Sequence, residues 1–488
     1  MAREASAGLM MERLEVEVAI IGAGTAGMRA YREASQLTDS ILLIEGRAYG
    51  TTCARVGCMP SKLLVAAAEA AHRGREAKLF GLQLNGLHVD GAAVMQRVRD
   101  ERDRFVGFVV ETVEDWPEKH RIEAMARFKS DHELELEDGR TITADRIVIA
   151  TGSRPKILPA FKAFGERLIV NDDVFNWNTL PQSVVVFGAG VVGLELGQAL
   201  HRLGVHVVLF GRDHLVGPLT DPSVLETARE VFTNEFMFFP HSEVIRHAQV
   251  ANGVEVDYMV DGKTKTARFE YALIATGRQP NVDNLGLENT SLELDERGVP
   301  VYNVHNSRCG DSHIFIAGDA NNRFPLLHES ADEGFAAGYN AARYPDVRSF
   351  AKSAPITVMF SDPQIMMVGA TFQQLTEQGV EFAIGSIDWS RQGRARVMGV
   401  NHGLLRVYGQ HNTGRFLGAE MVGPRAENIA HLLAWSLQSN LTVSEMLERP
   451  FYHPVLEEGV RTALRGLNCA LRMGPQPPRN CLDCGPGG

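Results

Sequence analysis

Tryptophan and cysteine are both scarce, at 4 and 6 of 488 residues. So few tryptophans argue against an aromatic-rich binding surface. Six cysteines over this length do not make the disulfide framework of a small secreted protein. In a reducing compartment a close cysteine pair is catalytic or metal-binding rather than structural. The sequence also lacks any run of the ~18 to 20 apolar residues that a membrane span needs. Met1 to Glu17 scatters Glu and Arg and has no apolar signal core. The expectation is a cytoplasmic protein with no membrane partner. Positive charge is in deficit: 49 Lys+Arg against 60 Asp+Glu gives −11, so no nucleic-acid partner is expected.

Glycine is plentiful at 47, and hydrophobic residues make up 44%, which suits a globular protein with many tight turns. The length suggests about three domains. Val16 to Ile21 reads as a buried strand, Gly22-Ala-Gly24-Thr-Ala-Gly27 follows at once, and Met28 to Leu37 reads as a helix. A second strand, Ile41 to Ile44, ends on Glu45, 18 residues beyond Gly27. This is a βαβ unit with an acid where a ribose hydroxyl would be held. The pattern recurs 166 residues on, with strand Val184–Phe187, turn Gly188-Ala-Gly190-Val-Val-Gly193 and helix Leu194–Leu203. Two such units imply two dinucleotide sites, each with a pyrophosphate at a helix N-terminus. Arg146 to Gly152 and Tyr271 to Gly277 are apolar strands closing on Thr-Gly, and Ile314 to Asp319 ends on an acid. Beyond Pro355, short strands and helices alternate as in an α+β domain.

Between Glu45 and the next helix lies Thr52-Cys53-Ala-Arg-Val-Gly57-Cys58-Met-Pro60-Ser-Lys62. A helix is expected from about Pro60 to Ala71. Residues five apart in a regular helix have Cα atoms roughly 8 to 9 Å apart, and a disulfide needs less than about 7 Å. Cys53 and Cys58 therefore pair only if the first turn is distorted, which Gly57 permits. A helix N-terminus also favours a thiolate. Two buried cysteines, or half of a metal site, remain open as other readings, although further metal ligands nearby are not evident.

With these motifs, and with Ala150-Thr151-Gly152-Ser153-Arg-Pro155, Ala275-Thr-Gly277-Arg278, Ala317-Gly-Asp319 and His453-Pro454 ahead of Glu458, the chain resembles the FAD-dependent pyridine nucleotide-disulfide oxidoreductases over residues 16 to 466. The resemblance implies an α/β fold, with two Rossmann-like dinucleotide-binding domains and a C-terminal α+β dimerisation domain. Its expected boundaries are 1–155 and 281–350 for FAD, 156–280 for NAD(P), 351–470 for the interface and 471–488 for a cysteine-containing tail. The first glycine turn and Glu45 would hold the ADP half of FAD, and Asp319 its flavin side. Thr52, Thr151, Gly152, Ser153, Gly277 and Leu327 would also bind cofactor. Lys62, paired with Glu195, would sit near the flavin. Cys58 would face the flavin, and Cys53 would exchange with a disulfide or dithiol substrate. His453, oriented by Glu458, would be the acid/base and would reach the cysteines from the other subunit of a homodimer. On the residues alone, His453 reads equally as a packed histidine, Lys62 as a solvated helix lysine and Glu195 as a surface acid.

The nicotinamide signals conflict. Eighteen residues beyond Gly193 stands Gly211, not an acid; Arg212 suits a 2′-phosphate and Asp213 a ribose hydroxyl, and the resemblance implies NAD from the glycine at 193, where NADP-selective members of the family tend to carry alanine. The balance leans to NAD, with NADP tolerated. Among family members dihydrolipoamide dehydrogenase fits best. Glutathione reductase would need carboxylate-binding arginines; Arg32 is one candidate, but Tyr339 stands at the other position. Cys481-Leu-Asp-Cys484 in a Gly/Pro-rich tail departs from that reading. It keeps open an NADPH-dependent reductase of glutathione or protein disulfides that uses this second pair.

Overall fold

The computed structural model describes residues 13–84 and 86–472. Cys481, Cys484 and the first 12 residues lie outside them. The chain divides into two compact units.

Among the described residues, the first unit takes 13–60, 99–156 and 277–352. Its sheet runs in the order Arg121–Glu123, Ile41–Glu45, Arg13–Ile21, Thr141–Ile149, Glu133–Leu136, Ala126–Phe128, and Ile314–Ile316 also pairs with Thr141–Ile149. The strands around Arg13–Ile21 are parallel, with Val18 opposite Ile41 and Arg146. Their apolar runs are continuous because both faces are covered. Ala19, Ile21, Leu42 and Ile44 feed one core, and Val18, Ile20, Ile41 and Leu43 feed the other. Each such side chain contributes about 1.5–3 kcal/mol through burial. The first glycine-turn helix, Thr25–Ala34, packs on helix Leu327–Arg343. The contact is close because Gly334 and Gly338 lie against the backbone: a Cβ there would meet Ala26 O at 2.3 Å and Ala30 O at 2.2 Å.

Among the described residues, the second unit takes 61–84, 86–98, 157–276 and 353–472. It contains a parallel sheet ordered Met237–Phe239, His206–Phe210, Ser183–Phe187, Tyr271–Ile274, Leu168–Ile169. The second glycine-turn helix, Val191–Arg202, follows Ser183–Phe187. An antiparallel five-stranded sheet runs Ile356–Met359, Gln364–Gly369, Phe416–Gly423, Leu404–Gln410, Phe382–Asp388. Helices Ala426–Gln438, Val443–Glu448 and Glu458–Leu471 pack on it around fully buried Trp389.

The α/β class and the two glycine-turn units stand as expected, but several boundaries move. Both glycine-turn helices start inside the turn, at Thr25 and Val191, because the third glycine belongs to the first helical turn. The expected helix from Pro60 to Ala71 runs instead from Cys58 to Glu76, and a separate one-turn helix, Thr52–Val56, precedes it. Proline is tolerated in the first helical turn, where amides have no intrahelical acceptor. Among the described residues no helix is long and apolar enough to cross a membrane.

Candidate active site

In the first unit the strand–turn–helix beginning at Gly22 builds a cradle. Gly22 adopts φ +107, and a Cβ there would lie 2.3 Å from Ala150 O; a Cβ on Gly27 would lie 1.8 Å from Gly22 O. Only glycines allow this approach. Nothing lies within 4 Å of a Cβ built on Gly24, so the turn is open there. Glu45 accepts from Ala23 N–H at 2.8 Å and Arg47 N–H at 3.0 Å. Burial pushes its carboxyl above the usual range, although both amides oppose that shift.

The Thr-Gly strand ends meet here. Ser153–Pro155 pairs antiparallel with Arg278–Pro280, and Lys156 N–H donates to Gly277 O at 2.9 Å. Ser153 Oγ donates to Asp319 Oδ2 at 2.6 Å and accepts from Arg278 Nε at 2.8 Å. Thr151 Oγ1 is buried with no hydrogen-bond partner. A buried hydroxyl left unmatched costs free energy, so a polar ligand group suits it. The open glycine turn, Glu45 and this orphaned hydroxyl together fit FAD. Leu327 is half-exposed at the start of its helix.

One residue that sequence reasoning missed supports this cradle. Glu333 is nearly fully buried. It accepts from Gly318 N–H at 3.0 Å, Asn321 Nδ2 at 2.6 Å and Lys352 Nζ at 3.1 Å, and so pins the turn that carries Asp319. Its signal was an acid on the buried face of the helix after Ala-Gly-Asp.

The cysteine segment departs from a regular helix at Gly57, with φ −125 and ψ −118. A Cβ on Gly57 would sit 2.9 Å from Thr52 O and 3.2 Å from the Cys53 Cα, so this glycine folds the chain back onto Cys53. Thr51 Oγ1 caps the short helix by accepting from Ala54 N–H at 3.3 Å. Thr52 is exposed, Cys53 half-buried and Cys58 exposed.

The second unit holds the remaining candidates. Its glycine turn repeats the first: Gly188 has φ +116, and a Cβ on Gly193 would lie 1.9 Å from Gly188 O. Gly190 is open. Gly211, at the place of the missing acid, has no room for a side chain, because a Cβ would meet Pro240 O at 2.8 Å and the Ala189 Cβ at 3.0 Å. Arg212 is 86% exposed and pairs with Asp213 at 2.8 Å. Lys62 Nζ lies 2.7 Å from Glu195 Oε2, and Glu195 is buried, not the surface acid of the bland reading. His453 Nδ1 lies 3.0 Å from both oxygens of Glu458. The pairing holds the Glu458 carboxyl below the usual carboxylate range, with the His453 contact as the main cause. An imidazole bonded to a carboxylate at Nδ1 presents Nε2 as its base. The His453 side chain is 80% exposed, so the packed reading does not hold for this chain.

Residues 16–334 match the family model described as pyridine nucleotide-disulphide oxidoreductase. Residues 356–464 match the dimerisation domain of the same family. A dihydrolipoyl dehydrogenase of Haloferax volcanii is 31% identical over 462 residues, covering 92% of this chain and 95% of that protein. One of Chlamydia muridarum is 28% identical over 468 residues, covering 93% and 98%. The HOCl-induced flavoprotein disulfide reductase of Escherichia coli superposes with a TM-score of 0.78 at 22% identity, covering 92% of this chain and 99% of that one. At that identity the likeness is one of fold.

Proposed function

We propose a reaction for this chain from one premise: it belongs to the pyridine nucleotide-disulphide oxidoreductase family. It is a flavoprotein disulfide oxidoreductase that uses FAD and NAD(P)H. The finer reading is a dihydrolipoyl dehydrogenase, which oxidises dihydrolipoamide to lipoamide. The observation that carries it is the His453–Glu458 pair, an exposed imidazole fixed at Nδ1, as a dithiol substrate requires.

Bound FAD would supply a two-electron carrier between the cysteine pair and a nicotinamide. The protein supplies the rest. With Cys53 and Cys58 as a disulfide, His453 takes a proton from one substrate thiol. That thiolate attacks Cys53 Sγ, the Cys53–Cys58 bond breaks, and Cys58 leaves as a thiolate. The second substrate thiol then attacks the substrate sulfur of the mixed disulfide and the substrate closes to its own disulfide; Cys53 leaves with the proton held by the imidazolium, and His453 takes up the proton of the second thiol, so that it ends protonated beside the Cys58 thiolate. Two electrons then rest on the cysteine pair. Glu458 keeps the ring oriented through Nδ1. Lys62, held by Glu195, would supply a positive charge to bound FAD.

The histidine serves the cysteines of a second copy in a homodimer. Exposed apolar surface supports this: Trp435 is 70% and Tyr452 78% exposed, and a groove of about 290 Å³ lined by Leu432, Met446, Phe451 and Tyr452 lies in the segment matching the dimerisation domain.

One observation favours a second reading. Gly211 excludes the acid that selects NAD, and Arg212 stands exposed beside it, which suits an NADPH-dependent reductase of glutathione or protein disulfides. Against glutathione, the ring of Tyr339 is covered by Arg343 at 3.6 Å, and Arg32 lies 6.0 Å from the Trp116 ring. Steady-state assays of the purified protein with lipoamide, oxidised glutathione and a protein disulfide, each with both nicotinamides, decide between them. Lipoamide turnover with NAD(H) at least tenfold above the other combinations supports the first reading; dominant NADPH-dependent turnover of another disulfide replaces it.

A further inference from the structure

Helix Val191–Arg202 carries Glu195, Gln198 and Arg202, spaced three and four apart and so on one face. All three are at most 5% exposed. Buried polar side chains need partners, and these find them in one short turn, Phe360–Pro363, between strands Ile356–Met359 and Gln364–Gly369. Phe360 N–H donates to Glu195 Oε1 at 2.8 Å. Gln198 grips the Asp362 backbone at both ends: its Oε1 accepts from Asp362 N–H at 2.8 Å and its Nε2 donates to Asp362 O at 2.7 Å. Arg202 donates to Asp362 Oδ2 at 2.7 Å and to Asp362 O at 3.0 Å, and Glu235 holds the other edge of the guanidinium.

The turn in turn reaches Lys62. Glu195 Oε2, the oxygen not used by Phe360, is 2.7 Å from Lys62 Nζ, and the Phe360 ring centroid is 4.7 Å from the same nitrogen. The ammonium thus meets a carboxylate and an aromatic face, and position 360 sets both. An ammonium over a ring face is attracted by the ring quadrupole, and a long lysine side chain stays mobile unless it is held this way.

We infer that Phe360 is a positioning residue for the Lys62–Glu195 pair: its amide fixes the carboxylate, its ring fixes the ammonium, and Gln198 and Arg202 hold the turn that carries both. The consequence for turnover rests on the reading that Lys62 works beside the flavin. Phe360 lies in the segment that matches the dimerisation domain, so that segment shapes a charged pair of the redox site as well as the subunit interface.

The test uses the full-length, FAD-loaded protein. Phe360→Leu keeps the apolar bulk and the amide but removes the ring; Phe360→Met is a second ringless form, and Phe360→Tyr restores a ring. Two quantities are read. The first is the acylation rate of Lys62 by limiting acetic anhydride, mapped by peptide mass spectrometry against exposed Lys119 and Lys129. The second is single-turnover reduction of the flavin by the nicotinamide. In both ringless variants Lys62 acylation should rise, and flavin reduction fall, about three- to tenfold, as expected for a lost cation–π contact. Phe360→Tyr should return both to within twofold of wild type. Gln198→Leu, which frees the turn without touching Lys62 or Phe360, should also raise acylation. Unchanged Lys62 acylation in the ringless variants, or a Tyr variant that behaves like them, overturns the inference. Raised acylation with unchanged flavin reduction upholds the positioning and overturns instead the redox role proposed for Lys62.

Discussion

The ring of His453 is held at one nitrogen and otherwise exposed, which is what a proton carrier needs and a packed histidine does not. His453→Gln should slow dithiol–disulfide exchange by about 10² or more, as typical of a lost general acid–base, and leave flavin reduction by the nicotinamide nearly unchanged. Rapid-mixing measurement of the two half-reactions checks this; equal losses would mean a structural role. Glu458 gives a pH prediction. A depressed carboxyl pKa stabilises the folded state above the unfolded value, about 4.3 for glutamate, and that gain is lost as pH falls through the lower folded value. Wild type should therefore melt above Glu458→Gln at neutral pH, and the difference should shrink as pH drops below about 4. Melting curves from pH 3 to 8 test it; a gap that widens in acid contradicts the pairing. At this scale the sequence made a residue stand out where it belongs to a short motif, as Glu45, Asp319 and His453 do, and the structure gives each a fixed hydrogen-bond partner. The sequence was not legible where a role depends on a partner far along the chain. Phe360 lies 298 positions from Lys62, and Glu333 acts through an amide 15 positions away.

Among the elements, alternation of apolar strand and glycine turn was enough to read both dinucleotide cradles, because their steric demands are local. The cysteine segment was half-legible. Five-residue spacing required a distortion and Gly57 supplied a place for it, but the residues did not reveal that Thr52–Val56 forms a helix of its own. Thr51, with φ +55, makes that extra turn and caps it. The 24-residue helix Gly91–Glu114 also escaped notice, since its buried stripe is interrupted by exposed Arg and Glu. Gly57→Ala tests the break. Its methyl group would press on Thr52 O and Cys53, at a cost of about 1–3 kcal/mol. A lowered melting temperature together with slowed exchange is expected. Wild-type exchange in a stable Gly57→Ala protein would show that the close approach to Cys53 is dispensable.

For the molecule as a whole, composition excluded much and assigned little; the fold class came from the recurrence of one unit and from the family resemblance. The substrate is written in surfaces that no local motif encodes. That no side chain fits at position 211 is set by the packing of Pro240 and Ala189, which the sequence alone does not show. The central claim is that Cys58 is the cysteine in electronic contact with the flavin and Cys53 the one that meets substrate. Anaerobic two-electron reduction by the nicotinamide, followed by absorbance, tests it most directly. Wild type should develop a long-wavelength thiolate-to-flavin band, Cys53→Ser should retain that band, and Cys58→Ser should lose it. A band that survives in Cys58→Ser and vanishes in Cys53→Ser would contradict the account.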